Sequence, residues 1–168
     1  MRVCVVGSGG REHALALALA TTAEVVVAPG NPGMEGFERS VAPPEHVEAD
    51  LWVIGPEAPL VDGLADRIRA RGGLVFGPGA DGAQLEGSKS WMKELLVAAR
   101  VPTASFGVFS EPEPALHYLS SLPGPWVVKT DGLAAGKGVV VTDSPEEAAR
   151  DVQEKLSGRA YGKAGRKV

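Results

Sequence analysis

The sequence predicts an α/β fold that begins with an open parallel sheet. Through the first hundred residues, short apolar runs ending at glycine or proline alternate with segments of helical periodicity. Strands that alternate with helices are joined by crossovers, and crossovers make neighbouring strands parallel. The pattern changes after Arg100, where a proline, a turn and a long loop between two valine-rich runs follow. We therefore predict two domains, a parallel-sheet domain over residues 1–100 and an α+β region over residues 101–168.

Four strands and three helices are predicted in the first domain. The strands are the runs RVCVVG, EVVVAPG, DLWVIG and LVFGPG. The continuous apolar character of RVCVVG is typical of a strand buried on both faces. The first helix is GGREHALALALA. The other two are indicated by apolar residues at helical spacing, namely Leu60, Val61, Leu64, Ala65 and Ile68, then Trp91, Met92, Leu95, Leu96 and Ala99. Gly72-Gly73 is predicted to end the second helix, and Ser88 to cap the third.

The second region is predicted to hold about three strands and two helices. A short strand is expected in VPTASFGVFS, and Ser110 with Glu113 forms a capping-box signature before the helix PALHYLSSL. The turn PGP leads to two valine-rich strands, which flank the loop of residues 130–137. In the last helix Ser144 is the expected N-cap and Pro145 the first residue. The face of this helix is lined by Ala148, Ala149, Val152 and Leu156.

Composition narrows the class of protein. Hydrophobic residues make up 44% of the 168, charged residues 23%, and the net charge is −4. This mild acidity argues against a nucleic-acid partner, and no apolar segment is long enough to predict a membrane span. The single cysteine, Cys4, lies in an apolar run, which favours a buried thiol in a reducing compartment; we expect a cytoplasmic protein. His13, His46 and His117 lack ligand spacing, so no metal site is predicted.

The segment GSGGREH, residues 7–13, follows a strand and opens a helix. Backbone N–H groups at a helix start attract anions, and glycines let a phosphate approach closely. A dinucleotide site is disfavoured, because Glu12 stands where the third glycine of GxGxxG belongs and the second strand ends in Ala28 and Pro29 instead of an acidic residue. A phosphate-sized anion on this segment is the favoured interpretation, and a tight turn without a ligand is the alternative.

Two further loops follow predicted strands. GPEAPL, residues 55–60, lies where open α/β sheets bind ligands, and Glu57 could accept hydrogen bonds from sugar hydroxyls. The alternative is a solvated carboxylate favoured by the helix dipole. In APGNPG, residues 28–33, Asn31 is either a ligand contact or a residue that stabilises its own turn.

The loop after the first valine-rich strand carries glycines and positive charge. Gly132, Gly136 and Gly138 give it freedom to fold over a ligand, and Lys129 and Lys137 supply cations suited to a polyphosphate. The order G-x-x-x-x-G-K-[ST] of a Walker A loop is absent. A mobile hairpin loop, in which Asp131 only caps a turn, is the alternative. Lys89 is a third candidate cation, because the first turn of a helix disfavours positive charge.

Taken together, these segments resemble the glycinamide ribonucleotide synthetase family of the ATP-grasp superfamily. The resemblance covers essentially the whole chain and is carried, in order, by VVGSGGREHALA, APGNPG, VIGPEAPLVDGL, FGP, AQLEGSKSWMK, VPTASF and VVKTDGLAAGKGVVV. It implies a Rossmann-like, pre-ATP-grasp N-terminal domain followed by the first part of an ATP-grasp domain. GPEAPL with KTDGLAAGKG is distinctive of this member of the superfamily.

The resemblance also implies a reaction and its sites. ATP would phosphorylate the carboxylate of glycine, and the amine of 5-phosphoribosylamine would attack the glycyl phosphate to give glycinamide ribonucleotide, ADP and phosphate in purine biosynthesis. The first domain would bind phosphoribosylamine through Gly9, Gly10, Arg11, Glu12, Asn31, Pro56 and Glu57. ATP would be bound by Lys89, Lys129, Asp131, Gly132, Gly136, Lys137 and Gly138, with the loop closing over the triphosphate.

Members of this family continue well beyond the length of this chain. We therefore expect the 168 residues to be an inactive fragment of the ligase, with the Mg²⁺ ligands and the glycine pocket in the part that follows. The expected partners are small molecules only, with no nucleic acid or membrane, and the expected state is a monomer. An NAD-type oxidoreductase domain and a non-catalytic phosphosugar-binding module are the competing hypotheses.

Overall fold

The computed structural model describes residues 1–134, 137–159 and 166–168. The chain divides into two compact units, Met1–Gln84 and Leu85–Val168. The boundary predicted near residue 100 lies one helix later than this division, because helix α5 (Lys89–Ala98) belongs to the second unit. None of the described helices combines the length and the apolar character that crossing a bilayer requires.

The first unit is an α/β structure around a parallel sheet, as predicted, and the sheet has five strands. Its strands are β1 (Arg2–Gly7), β2 (Glu24–Pro29), β3 (Glu38–Arg39), β4 (Leu51–Ile54) and β5 (Leu74–Phe76), in the spatial order β3-β2-β1-β4-β5. Its helices are α1 (Gly10–Leu19), α2 (Glu57–Val61), α3 (Leu64–Ala70) and α4 (Ala80–Gly87), with a short 3₁₀ helix at Pro44–His46. The unit boundary falls within α4.

Both faces of this sheet are covered over its central strands. Cys4, Val6 and Ile54 pack with α2 and α3 on one face, and Val3, Val5 and Val27 pack with Ala16 of α1 on the other. Burial on both faces is why these strands read as continuous apolar runs. Burial also raises the pKa of the Cys4 thiol to about 12, so the residue is an inert core side chain.

The structure corrects three details of the first unit. The helix predicted across Leu60–Ile68 is two helices, because the chain turns at Gly63 with a φ of 78°. The short edge strand β3 and the helix α4 were not predicted. Two residues in β3 and one buried residue in α4 give little periodicity to detect.

The second unit has the strands β6 (Trp126–Lys129) and β7 (Val139–Thr142), which pair antiparallel. Helices α6 (Pro112–Ser120) and α7 (Pro145–Leu156) pack on one face of this hairpin through Ala115, Leu119, Val128, Ala148 and Val152. The opposite face presents Val127, which is 51% exposed, and Val141, which is 68% exposed.

Two local predictions in residues 101–110 and α6 are wrong, and the predicted cap of α7 is confirmed. The strand expected in residues 101–110 does not form, although Phe109 exchanges backbone hydrogen bonds with Val168. The N-cap of α6 is Glu111 instead of Ser110, because Pro112 takes the first helical position. The cap of α7 is as predicted, with the Ser144 hydroxyl accepting from the Glu147 N–H at 3.2 Å.

Candidate functional site

The first candidate site lies at the carboxyl ends of β1 and β4. The chain reaches β2 on one side of β1 and β4 on the other, so this pair marks the switch point of the sheet, where open α/β folds bind ligands. Backbone bonds hold three strand ends together: the Gly30 N–H donates to Gly7 O and the Gly55 N–H to Val6 O, both at 3.1 Å. The predicted loops 7–13, 28–33 and 55–60 therefore meet at one edge.

Glu12 fills the space beneath the glycine-rich loop. Its side chain is buried, and its carboxylate accepts a hydrogen bond of 2.7 Å from the Gly9 N–H. This bond is half of a capping box, in which the third helical residue reaches back to the N-cap. The Gly9 N–H, predicted to hold a phosphate, is therefore already occupied by a carboxylate of the protein.

Arg11 joins two carboxylates at the start of α1. Its Nε donates to Glu12 Oε1 at 3.0 Å and its Nη1 to Glu57 Oε1 at 2.9 Å. The hydrogen bond from Arg11 is the main reason that the pKa of Glu57 lies below its ordinary value. Arg11 and Glu57 are 56% and 44% exposed, so the pair is weak and a ligand can exchange with it.

Asn31 and Pro56 shape the loops around this pair. The Asn31 side chain donates to Ser8 O and accepts from the Gly33 N–H, both at 2.7 Å. Asn31 thus stabilises its own turn, as the alternative interpretation held, and it also ties that turn to the glycine-rich loop. Pro56 is the N-cap residue of α2, which begins at Glu57.

A cleft of about 570 Å³ opens beside these loops. Gly9, Glu12 and Pro56 of the predicted residues line it, while Gly10, Arg11, Asn31 and Glu57 are outside its lining. Its far side carries three charged residues that sequence analysis missed, Glu45, Asp62 and Arg67. Arg67 pairs with Glu45 at 3.2 Å and with Asp62 at 3.4 Å. No periodicity marks these residues, because they meet only through the fold.

The second candidate site is built on the start of α5. The Asp131 carboxylate accepts from the Ser90 N–H at 3.1 Å and from the Ser90 and Ser88 hydroxyls at 2.8 Å and 3.1 Å. Ser88 is the N-cap, as predicted, and its hydroxyl accepts from the Trp91 N–H. A carboxylate at a helix N-terminus is favoured by the helix dipole. Ser90 was not predicted, because its only signal in the sequence is its place beside the predicted cap Ser88.

Lys89, at the start of α5, lies close to the loop glycine Gly132. Lys89 Nζ donates to Gly132 O at 2.8 Å, and the nearby Asp131 carboxylate offsets the unfavourable position of this cation on the helix. Lys129 ends β6 on the exposed face, opposite Val139. Gly138 accepts a backbone bond from Thr130, and the Lys137 N–H donates to Ala134 O. Gly136 lies outside the described residues.

The surroundings of Asp131 predict that the stability of the second unit depends on pH. Burial of the Asp131 carboxyl opposes ionisation, but the hydrogen bonds from Ser90 and Ser88 outweigh it and lower the pKa below its usual range. A lowered folded-state pKa gives stability that is present above the unfolded value, near pH 4, and lost as the pH falls through the folded value. We expect Asp131→Asn to destabilise the chain at pH 7 and to differ less from wild type at pH 3. Urea unfolding at both pH values tests this.

Asp143, on an exposed turn, provides the matched control. Asp143→Asn should behave like wild type at both pH values. A destabilisation by Asp131→Asn that is equal at pH 7 and pH 3 would show that the charge of Asp131 has no part in the effect.

No metal centre is evident in the described part of the chain. Residues 1–134, 137–159 and 166–168 contain no group of three or more histidine, cysteine or acidic side chains placed to hold an ion. The chemistry available in the first unit is recognition of an anion by Arg11 and helix α1, next to a carboxylate, Glu57, that can accept hydrogen bonds.

Comparisons with known proteins cover both units. Residues 1–86 match the family model described as the N domain of phosphoribosylglycinamide synthetase, and residues 87–168 match its ATP-grasp (A) domain. Phosphoribosylamine–glycine ligase of Escherichia coli K12 is 46% identical over 184 aligned residues, which cover 100% of this chain and 43% of that protein. The enzyme of the same name from Pseudomonas aeruginosa is 46% identical, with the same coverage. The chain thus spans under half the length of these relatives.

Solved structures also resemble this chain. The crystal structure of phosphoribosylamine–glycine ligase from Thermotoga maritima matches with a TM-score of 0.76 and 32% identity, over 99% of this chain and 41% of that one. The biotin carboxylase domain of 2-oxoglutarate carboxylase from Hydrogenobacter thermophilus, solved with MgADP, matches with a TM-score of 0.69 and 20% identity. That alignment covers 97% of this chain and 42% of the domain, and it shows a shared fold.

Proposed function

Because the chain belongs to the phosphoribosylglycinamide synthetase family, we propose that it contributes the phosphosugar site and part of the ATP site of an ATP-dependent carbon–nitrogen ligase. The reaction joins glycine to 5-phosphoribosylamine. A carboxylate oxygen of glycine attacks the γ-phosphorus of ATP and ADP leaves. The amine nitrogen then attacks the carbonyl of the glycyl phosphate, phosphate leaves, and glycinamide ribonucleotide is formed.

The hydrogen bond between Arg11 and Glu57 is the main observation that supports this proposal. They lie 46 residues apart in sequence and 2.9 Å apart at the switch point of the sheet. A phosphorylated sugar offers both of them a better partner, because its phosphate can take the guanidinium and its hydroxyls can donate to the released carboxylate. Gly10 and the start of α1 supply further N–H groups for the phosphate.

The ATP site is proposed on the second unit. Lys89 and Lys129 are the cations for the nucleotide phosphates, and the loop from Asp131 to Gly138 is the cover that excludes water from the acyl phosphate. The contact between Lys89 and Gly132 supports a coupling of the loop to the start of α5. Asp131 fits this site as the residue that anchors the loop, since its carboxylate already accepts from Ser88 and Ser90.

Mg²⁺ is the cofactor expected with ATP, because it neutralises the charge that develops on transferred phosphoryl groups. None of the described residues is assigned to it. We further propose that the protein acts as a cytoplasmic monomer on small molecules; its buried, unreactive Cys4 is compatible with that compartment.

Arg11→Ala tests the phosphosugar site. The variant loses a charge-assisted contact, and we expect it to bind ribose 5-phosphate about 10- to 100-fold more weakly than the wild-type chain. Isothermal titration calorimetry measures this directly. Arg71→Ala is the control, because it removes an equal charge at the amino-terminal edge of the sheet. Equal affinity of wild type and Arg11→Ala would refute a phosphate contact by Arg11.

A further inference from the structure

The side chain of Glu12 is the most deeply buried acidic group in the described part of the first unit. Glu12 is 4% exposed, yet its carboxylate lines the cleft beside the glycine-rich loop. A buried charge is costly unless it is hydrogen-bonded and paired. Glu12 has both kinds of partner, since it accepts from the Gly9 N–H and pairs with Arg11.

Three glycines form a socket for this side chain. A Cβ atom would lie 2.5 Å from Glu12 Cγ at Gly7, 2.8 Å from Glu12 Oε2 at Gly9, and 2.6 Å from Glu12 Cγ at Gly55. At these separations a side chain at any of the three positions would force Glu12 to move. Gly10, in the same loop, faces open space. The glycines at 7, 9 and 55 therefore provide room for Glu12.

In a dinucleotide-binding loop, a pyrophosphate occupies the space left by the glycines and accepts hydrogen bonds from the N–H groups of the loop. Here the Glu12 side chain fills that space, accepts the hydrogen bond of the Gly9 N–H and places a fixed negative charge there. We propose that Glu12 is a specificity-determining residue, which restricts the loop to one phosphate monoester and excludes diphosphates. This inference rests on the proposed function, because it assumes that the loop receives a phosphosugar.

The charges around the loop also disfavour the binding of a second phosphate. Arg11 is shared between Glu12 and Glu57, and in the lining of the neighbouring cleft Arg67 is shared between Glu45 and Asp62. Four carboxylates thus face two guanidinium groups. One phosphate can be neutralised by Arg11 when that residue leaves Glu57. A second phosphate meets an acidic surface, which raises the cost of binding it.

Glu12→Gln tests this role, because glutamine keeps the shape of the side chain and an oxygen for the Gly9 N–H while removing the charge. The probes are pyrophosphate and ribose 5-phosphate, titrated into the purified 168-residue chain by calorimetry. Wild type should bind ribose 5-phosphate more tightly than pyrophosphate. The variant should bind pyrophosphate about tenfold more tightly than wild type, since a like charge a few ångströms away is gone. Its affinity for ribose 5-phosphate should rise less than that for pyrophosphate.

Glu24→Gln is the matched control, because Glu24 begins β2 at the opposite edge of the sheet. It should leave both affinities unchanged. A wild type that prefers pyrophosphate, or an affinity for pyrophosphate that is the same in wild type and Glu12→Gln, overturns the inference; so does the absence of pyrophosphate binding in both. If wild type fails to bind ribose 5-phosphate but the variant gains pyrophosphate binding, the exclusion of diphosphates by Glu12 stands and the proposed phosphosugar site is wrong.

Discussion

Gly55→Ala should lower the free energy of unfolding of the first unit by about 1–3 kcal/mol, which is the usual cost of forcing an extra carbon into a packed site. In a unit of this size, each kcal/mol corresponds to roughly 4–8 °C in Tm. The new methyl group would lie 2.6 Å from Cγ and 2.7 Å from Cδ of Glu12. Glu12 is buried and held by Gly9 and Arg11, so it cannot move aside without losing those contacts.

A double-mutant cycle identifies Glu12 as the cause. Glu12→Ala alone should also destabilise the unit, because it leaves a cavity and an unpaired Gly9 N–H. In that background, Gly55→Ala should cost little, since the methyl group enters the vacated space. The coupling between the two sites should therefore be large and favourable to the double variant.

Gly10→Ala provides a control in the same loop, because a Cβ atom there meets nothing within 4 Å. Thermal and urea unfolding of the five proteins, including wild type, supply the comparison. Additive losses from Gly55→Ala and Glu12→Ala would mean that the glycine is required for some reason other than the socket.

Lys129→Ala should reduce the rate of the proposed ligation about 100-fold or more, because losing one electrostatic contact to a reacting phosphoryl group has an effect of that size. Lys129 is the last residue of β6 and lies on the exposed face of the hairpin. The loop of residues 131–138 begins two residues later, so this cation lies at the base of the proposed ATP cover. The measurement is ADP release that depends on glycine and phosphoribosylamine, in a preparation that carries the ligase activity.

Arg150→Ala is the matched control for this experiment. Arg150 is an exposed cation on α7 of the same unit, and its removal should leave turnover unchanged. A Lys129→Ala protein with wild-type turnover and wild-type dependence on ATP concentration would exclude Lys129 as a phosphate ligand.

The fold class was determined by local pattern. The four glycine- or proline-terminated apolar runs became β1, β2, β4 and β5. Burial on both faces accounts for the apolar runs of the inner strands β1, β2 and β4, whereas Leu74 and Phe76 of the edge strand β5 are exposed. The cap of α7 was likewise predictable, since Ser144 and Glu147 are three residues apart and their contact is formed within one turn of helix. Interactions of this kind depend on neighbours in sequence, which any single sequence displays.

The sites depend on contacts between distant parts of the chain. Sequence analysis identified Arg11 and Glu57 separately, and the parallel sheet brought them together by aligning the ends of β1 and β4. The sequence could not show that Gly7, Gly9 and Gly55 leave space for Glu12, since a glycine in a loop has the same letter whether it makes room for a ligand or for a side chain. Asp131 looked like a turn residue or an ATP contact, and only the packing of its loop against α5 gave it Ser88 and Ser90 as partners. The sequence by itself determined which elements form; the tertiary structure decided which polar groups satisfy one another, because burial compels polar atoms to find partners wherever the fold supplies them.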